Sequence, residues 1–551
     1  MTDHISPAQR LPTNVVSLIL KWMINEITMR HSIMGIIKDD MTELMYVCQT
    51  WRQAALEYMW RELSLTINEE DKTIFVNNPK SSKLFKLPVN AEYLVREIRI
   101  SVSMCSIING TAYKLLAEYM GDTPPSLPLA RKLFIMIVDY PIEEFLTRDN
   151  AITEAQRFVQ LLQSISQMPT LTTEIKYNGD VRRFTEVVED AYAVLVNSLC
   201  HNAKCSKLDL NKLGYFRERM IEHLPAITSL VLHSERASRL HSSLLYKCAL
   251  SLTNLHITTI DANMIFLDLE GNSVVYPNLQ CLQIHNDYIE VEDSVSLPEA
   301  VPFPKLKSLG VYSVFPFTDD AIFQADSNSL EYLNIYVDYE TVTMLNNSRR
   351  FQNIAKHLKK VVIQKEEDID DNGLSDVPKT IMDKFIAKLA GSAHYLGLLA
   401  TPVATSFIDV ATVQHHNFEN TRILDVRHTP LSLFKVLQLL KALPSLSKLF
   451  CGNGYLGSEL DCMPSVELPD YVANTYGNSG KYLYELRIKY IRYLSDMISA
   501  EYVMLLALAS PKVCLLGATE ATALAHQTEM TRMLRRGPFS KYASQLQRLI
   551  E

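Results

Sequence analysis

From residue 65 onward the apolar positions recur as L-x-x-L-x-[LIV]. Clear copies are Ile227-Leu230-Leu232, Leu252-Leu255-Ile257, Leu279-Leu282-Ile284, Leu306-Leu309-Val311, Leu330-Leu333-Ile335 and Leu483-Leu486-Ile488. Looser copies are Val95-Ile98-Ile100, Ala130-Leu133-Ile135, Cys205-Leu208-Leu210, Leu358-Val361-Ile363, Ala393-Leu396-Leu398 and Leu446-Leu449-Cys451. The starts at 227, 252, 279, 306, 330 and 358 lie 24–28 residues apart. Alternate residues of a strand point to opposite faces, so the last two apolar residues of each copy face one way and their neighbours the other. Between copies, 379–392 (KTIMDKFIAKLAGS) and 430–443 (PLSLFKVLQLLKAL) carry helical apolar spacing. The pattern predicts an α/β solenoid, one short parallel strand per unit, with helical or irregular segments returning along its convex side.

The N-terminal region has another rhythm. Val15, Leu18, Ile19, Trp22 and Met23 fall on one helix face, after a Leu11-Pro12 start in which the missing Pro N–H costs nothing. Leu44, Val47, Cys48, Trp51, Ala55 and Tyr58 form a second run, with Asp39 and Asp40 as candidate caps. A third short segment carries Trp60 and Leu63, and LSLTI then alternates like a strand. All three Trp of the chain lie here. Three short helices make a marginal core on their own, and docking an apolar face on a partner is one remedy.

Leu11-Pro12 with its amphipathic helix, VCQTWRQAA at 47–55 and MWREL at 59–63 together resemble the F-box. The resemblance implies a three-helix module that docks a Skp-type adaptor of cullin-RING ubiquitin ligases. It implies adaptor contact through Leu11, Pro12, Val15, Ile19, Val47 and Cys48, with Trp51 and Trp60 at the core and at the junction with the next domain. Two departures bear on adaptor binding more than on fold: Asn14 stands where the family has an acid, and the segment around MRHSIMGIIKDD is longer than usual. With the repeats behind it, the chain resembles F-box/leucine-rich-repeat proteins, including divergent fungal groups. The implied organisation is an F-box-like helical module at 1–64, a degenerate leucine-rich-repeat solenoid at 65–525 and a C-terminal cap or tail at 526–551. The degeneracy is visible where that repeat usually places Asn or Cys; Leu213, Glu235, Ile260, Asp287, Val314 and Asp338 stand there.

At 551 residues the chain exceeds one compact core. A net charge of −8 argues against a nucleic-acid partner, which calls for a basic stripe. Neither G-x-G-x-x-G nor a P-loop occurs among the 17 Gly. No secretory leader and no long apolar run are present, so no membrane partner is expected. Nine Cys without a leader read as reduced thiols, which places the protein in the cytoplasm or nucleus.

Candidate chemistry is sparse. Asp368, Asp370, Asn372 and Gly373 imitate the first half of a calcium loop, but its twelfth residue would be Lys379 instead of Glu, so a solvated inter-repeat loop is expected. Cys200, His201 and Cys205 lack a second ligand pair for zinc. No nucleophile elbow or metalloprotease helix is present. No cofactor, no metal and no catalysis are expected. Stacking the strands in register instead aligns two outward columns: Asn211, His233, Thr258, His285, Tyr312, Tyr336, Gln364, and Asp209, Val231, His256, Gln283, Gly310, Asn334. His233, His256, His285, Tyr312 and Tyr336 are the candidate partner-binding residues of this concave face, weighed against an ordinary wetted sheet. The basic C-terminal stretch reads as a cap over the last repeat. The expected function is the substrate-recognition subunit of a Skp–cullin–F-box ubiquitin ligase with an unidentified protein substrate. The alternative is a leucine-rich-repeat scaffold that has lost adaptor binding.

Overall fold

The computed structural model describes residues 11–12, 14–20, 47–69, 71–76, 93–120, 127, 129–138, 147–165, 172–178, 186–202, 204–210, 227–233, 239–258, 265, 270, 272, 274–285, 303–312, 321–324, 330–364, 377–413, 418–452, 454–455, 460, 462–488, 500–512, 514–516 and 520–547. The chain folds as two compact units, residues 1–259 with 267–272, and residues 260–266 with 273–551.

The first unit opens with helical residues 14–20 and the helix Gln49–Trp60. Nothing in QTWRQAALEYMW breaks a helix, so Trp60 ends the same helix that carries Trp51 instead of opening a third segment. Leu63 belongs to the first strand, where alternation takes over. Strands β1 (Glu62–Asn68) and β2 (Thr73–Val76) form an antiparallel hairpin, turned through Lys72 at φ 46°. From there the unit is a parallel ladder in chain order. β1 pairs with β3 (Glu97–Ser103), then follow β4 (Lys132–Val138), β5 (Thr172–Asn178), β6 (Lys204–Leu210), β7 (Ser229–His233) and β8 (Asn254–Thr258). Helices Met104–Ile108, Thr111–Met120, Arg148–Ile165, Glu186–Asn202 and Arg239–Cys248 make the returns. The first is set by Ser103, whose hydroxyl accepts the Ser106 N–H at 3.0 Å as soon as β3 ends.

The second unit repeats the arrangement. β9 (Cys281–His285), β10 (Ser308–Val311), β11 (Tyr332–Tyr336), β12 (Lys360–Gln364), β13 (Tyr395–Leu398) and β14 (Ile423–Val426) pair successively in parallel. The two-residue strands β15 (Leu431–Ser432) and β17 (Gly454–Tyr455) pair with each other, while β16 (Lys448–Cys451), β18 (Glu485–Ile488) and β19 (Cys514–Leu516) extend the main ladder. Each unit is therefore a solenoid-like α/β stack, as the repeat predicts. The ladder even continues one residue before each strand: the N–H groups of Glu331, Lys359, His394, Arg422 and Ser447 each donate to the carbonyl of the residue one unit back, at 2.7–2.9 Å.

Both expected helical returns are present, as Lys379–Ala390 and Leu433–Ala442. Side-chain caps set several starts: Asp338 accepts the Thr341 N–H at 2.7 Å, Ser348 that of Phe351 at 2.9 Å, and Ser432 that of Lys435 at 3.2 Å. Inward strand residues such as Leu309, Val311, Leu333, Ile335, Leu396 and Leu398 are fully buried. Each contributes about 1.5–3 kcal/mol by leaving water.

Two ladder strands that the apolar pattern does not mark carry threonine in the frame. In β5, Thr173 lies in register with Leu133 and is buried. Ahead of β14, Thr421 is buried where the first Leu of a unit would stand, and its hydroxyl donates to the Ala393 carbonyl at 3.2 Å.

Successive returns are linked by an aromatic chain, with ring centroids 5.3 Å apart for Phe323–Phe351 and 6.2 Å for Phe351–Phe385. Phe351 is fully buried at its centre. Phe351→Ala is expected to destabilise the chain by about 3–5 kcal/mol. Urea denaturation followed by circular dichroism checks this, and a change within error of zero would show that the returns do not hold the second unit together.

Candidate functional site

At the N-terminus the geometry is a small helical cluster. Residues 14–20 start from Pro12, whose carbonyl accepts the Val15 and Val16 N–H groups at 3.0 and 3.1 Å. Cys48 precedes the next helix in extended backbone, and its carbonyl accepts the Arg52 N–H at 2.9 Å. Val16, Leu20, Trp51, Ala54 and Ala55 form the buried centre, the two small residues giving the helices room to approach. Leu11, Ile19, Val47 and Cys48 pack against that centre while staying partly exposed. Val15 is half-buried, Pro12 is exposed and Leu18 is 64% exposed. Leu11 and the Val47-Cys48 pair, from the two ends of the sequence pattern, thus pack against one buried cluster. Trp22, Asp39 and Asp40 lie outside the described residues, and Trp60 is described in its backbone alone.

The outward strand faces have the register expected of the columns. In the first unit Asp209 lies opposite Val231, Val231 opposite His256, and His233 opposite Thr258. In the second, Gln283 lies opposite Gly310, Gly310 opposite Asn334, and Tyr336 opposite Gln364. The rings of His285 and Tyr312 meet at 6.0 Å between centroids. Tyr312 folds back along its own strand, and a Cβ on Gly310 would stand 3.1 Å from its ring, so glycine there lets the phenol lie flat on the sheet. His233 and His256 belong to the first unit, and His285, Tyr312 and Tyr336 to the second.

The stronger chemistry lies one column over, at the residue just before the second apolar position. In the first unit that column and its neighbour are self-neutralised. Arg99 pairs with Glu62 at 3.2 Å and Glu97 at 3.0 Å and lies over the Phe134 ring, and Lys132 pairs with Glu174 at 3.0 Å.

In the second unit the same column reads Tyr332, Lys360, Tyr395, Ile423, Lys448 and Glu485 in adjacent register. The Lys360 Nζ stands 4.9 Å from the Tyr332 ring centroid and 4.8 Å from that of Tyr395, a cation held between two phenols. Beside it Gly397 leaves space for the Tyr395 ring, 3.1 Å from where a Cβ would be. The Tyr395 hydroxyl donates to Asp425 Oδ2 at 3.3 Å, and Arg427 grips the same carboxylate through Nε and Nη2. Burial, then the Asp425 charge, pushes the Tyr395 phenol up to about 12, so it stays a proton donor. Further along, Glu485 binds Lys448 at 2.5 Å and Arg487, and Arg487 lies over the Phe450 ring.

Residues 365–376, the calcium-like stretch, lie outside the described residues, and Lys379 pairs with Asp409 at 2.6 Å. Cys200 and His201 are in the backbone of a return helix, and the backbone of Cys205 is in register with Thr173. Among the described residues no group of three or more His, Cys, Asp or Glu could hold a metal ion, and no helix is long and apolar enough to cross a membrane. No family model and no curated protein sequence matches the chain.

Glu485 allows a pH test. Burial pushes its carboxyl up, but hydrogen bonds from Lys448 and Arg487 outweigh that and hold it below its ordinary 4.5. A depressed carboxyl stabilises the fold above its unfolded value, and that contribution is lost as pH falls below 4.5. Glu485→Gln is expected to cost roughly 2 kcal/mol at neutral pH and to flatten the acid loss of stability. Melting curves at neutral pH and through the acid range measure both, and parallel curves would show that this carboxylate is not the group responsible.

Proposed function

We propose that the chain is a non-catalytic substrate receptor of a Skp–cullin–F-box ubiquitin ligase. Its N-terminal helices would dock a Skp-type adaptor, and the outward strand face of its leucine-rich repeats would bind the protein to be ubiquitinated. The mechanism is proximity: a rigid ladder holds a substrate beside a ubiquitin-loaded enzyme and does no chemistry itself.

One observation carries this reading. Leu11, Ile19, Val47 and Cys48, from the two separated halves of the F-box-like pattern, all pack partly exposed against the one Trp51 cluster. Leu18 lies exposed on the helix that carries Ile19. A core this small is poorly able to stand alone, and a docked partner would cover what it leaves wet.

The test is capture of the full-length chain by a purified Skp-type adaptor. Leu11→Ala/Pro12→Ala and Val47→Asp are each expected to weaken capture by at least about tenfold, a loss of roughly 1.4 kcal/mol or more. Circular dichroism and melting curves identify variants that stay folded. Failure of the wild-type chain to bind would remove the ligase from the reading and leave a repeat scaffold for protein recognition.

A further inference from the structure

On the second unit's strand face, the described acids that meet a cation meet ones other than Lys360. Glu331 is engaged by Lys359 at 2.8 Å, Asp425 by Arg427 and Tyr395, and Glu485 by Lys448 and Arg487. Lys360 has two phenol rings and, among the described residues, no carboxylate. Rings on both sides restrict the side chain, so part of the entropy cost of fixing an ammonium for a partner is already met. The residues at the rim just before the strands add Lys307 and Arg422, both exposed.

A second observation lies on the same face. Asn334 is two residues along β11 from Tyr332 and therefore on the same side of the sheet, where its side chain hydrogen-bonds the Tyr332 phenol. It is only 4% exposed, and its Oδ1 accepts no hydrogen bond. A buried acceptor without a donor is costly to the fold, and a ligand N–H would recover that loss.

We propose that the face centred on Tyr332, Lys360 and Tyr395 takes an extended acidic peptide, with a carboxylate on Lys360 and a backbone or side-chain N–H directed at Asn334. This deepens the receptor reading by naming a substrate class and rests on it for its biological meaning, though the binding itself does not require an adaptor. A polynucleotide fits less well. It needs a row of free cations, whereas Arg427, Lys448 and Arg487 are each tied to a carboxylate of the same face.

The experiment uses the full-length chain and fluorescein-labelled short peptides with Glu, Gln or Lys at alternate positions, read by anisotropy. The Glu peptide is expected to bind at least about tenfold more tightly than the Gln peptide, with the Lys peptide weakest. Lys360→Glu should lower affinity for the Glu peptide by about tenfold or more, while Lys360→Arg stays within about threefold. Asn334→Leu, which fills the site without an acceptor, should weaken the Glu and Gln peptides alike. The proposal is overturned if Lys360→Glu binds the Glu peptide as wild type does, or if Glu and Gln peptides bind equally. It is also overturned if an oligothymidylate outcompetes the Glu peptide. Adaptor capture of the Lys360→Glu chain should be unchanged. Peptide binding without adaptor capture would remove the ligase and keep the acidic-peptide face, and the reverse would do the opposite.

Discussion

Two apolar side chains per strand, buried at the same register as those of the strand before, are the constraint on which the ladders rest. Parallel strands are stable when both faces are occupied, and a slip of one residue would turn every inward Leu or Ile to the outside. Leu282, Leu309, Leu333, Val361, Leu396, Leu424, Leu449 and Leu486 occupy one such row without exposure. That row removes any freedom of register from the residues between. Tyr332, Lys360 and Tyr395 stand side by side because Leu333, Val361 and Leu396 do, and the cation between two phenols is a by-product of hydrophobic alignment.

The same constraint sorts the charges. Strands about 4.8 Å apart force each outward side chain against those of its neighbours, so the choice at one position acts on two others. In the first unit the choices cancel locally, with Arg99 between Glu62 and Glu97 and Lys132 against Glu174. Exposed pairs of this kind add little stability, and they cancel the charges that they join. The second unit departs from cancellation at Lys360, where both neighbours are aromatic. Phenols hold an ammonium without neutralising it, so the Lys360 charge is not cancelled by its two neighbours.

Much of the ladder is legible in the sequence because its inward positions are apolar and regularly spaced. Copies as loose as Leu446-Leu449-Cys451 mark true strands, since Cys451 is buried as any aliphatic residue would be. Two of the strands that escape, β5 and β14, have threonine in or just before the frame, whereas β19 escapes without one. Thr173 and Thr421 are β-branched and fit a buried strand or its approach, yet an apolar pattern discounts their hydroxyls. The site is legible in part for a related reason. The columns containing His285, Tyr312 and Tyr336 follow from alternation alone, and their register holds. The clamp is missed because its meaning depends on three consecutive strands at once. Tyr, Lys and Tyr before the second apolar residue of their units are ordinary separately and come together only when stacked.

The N-terminal helices obey a different economy. Their buried centre contains Trp51 and two alanines, and alanine lets helices approach closely while contributing little apolar area. A ladder strand gains burial from neighbours on both sides, whereas among the described residues this cluster has Trp51 as its one large aromatic and a rim of half-covered Leu11, Ile19, Val47 and Cys48. Adding bulk to the centre would separate the helices, and making the rim polar would forfeit its packing against Trp51. A small module of this composition gains most by keeping its rim apolar and burying it on a second surface. The partly covered rim and the fully buried ladder thus divide these apolar residues, one set half-exposed around a small core and the other fixing register.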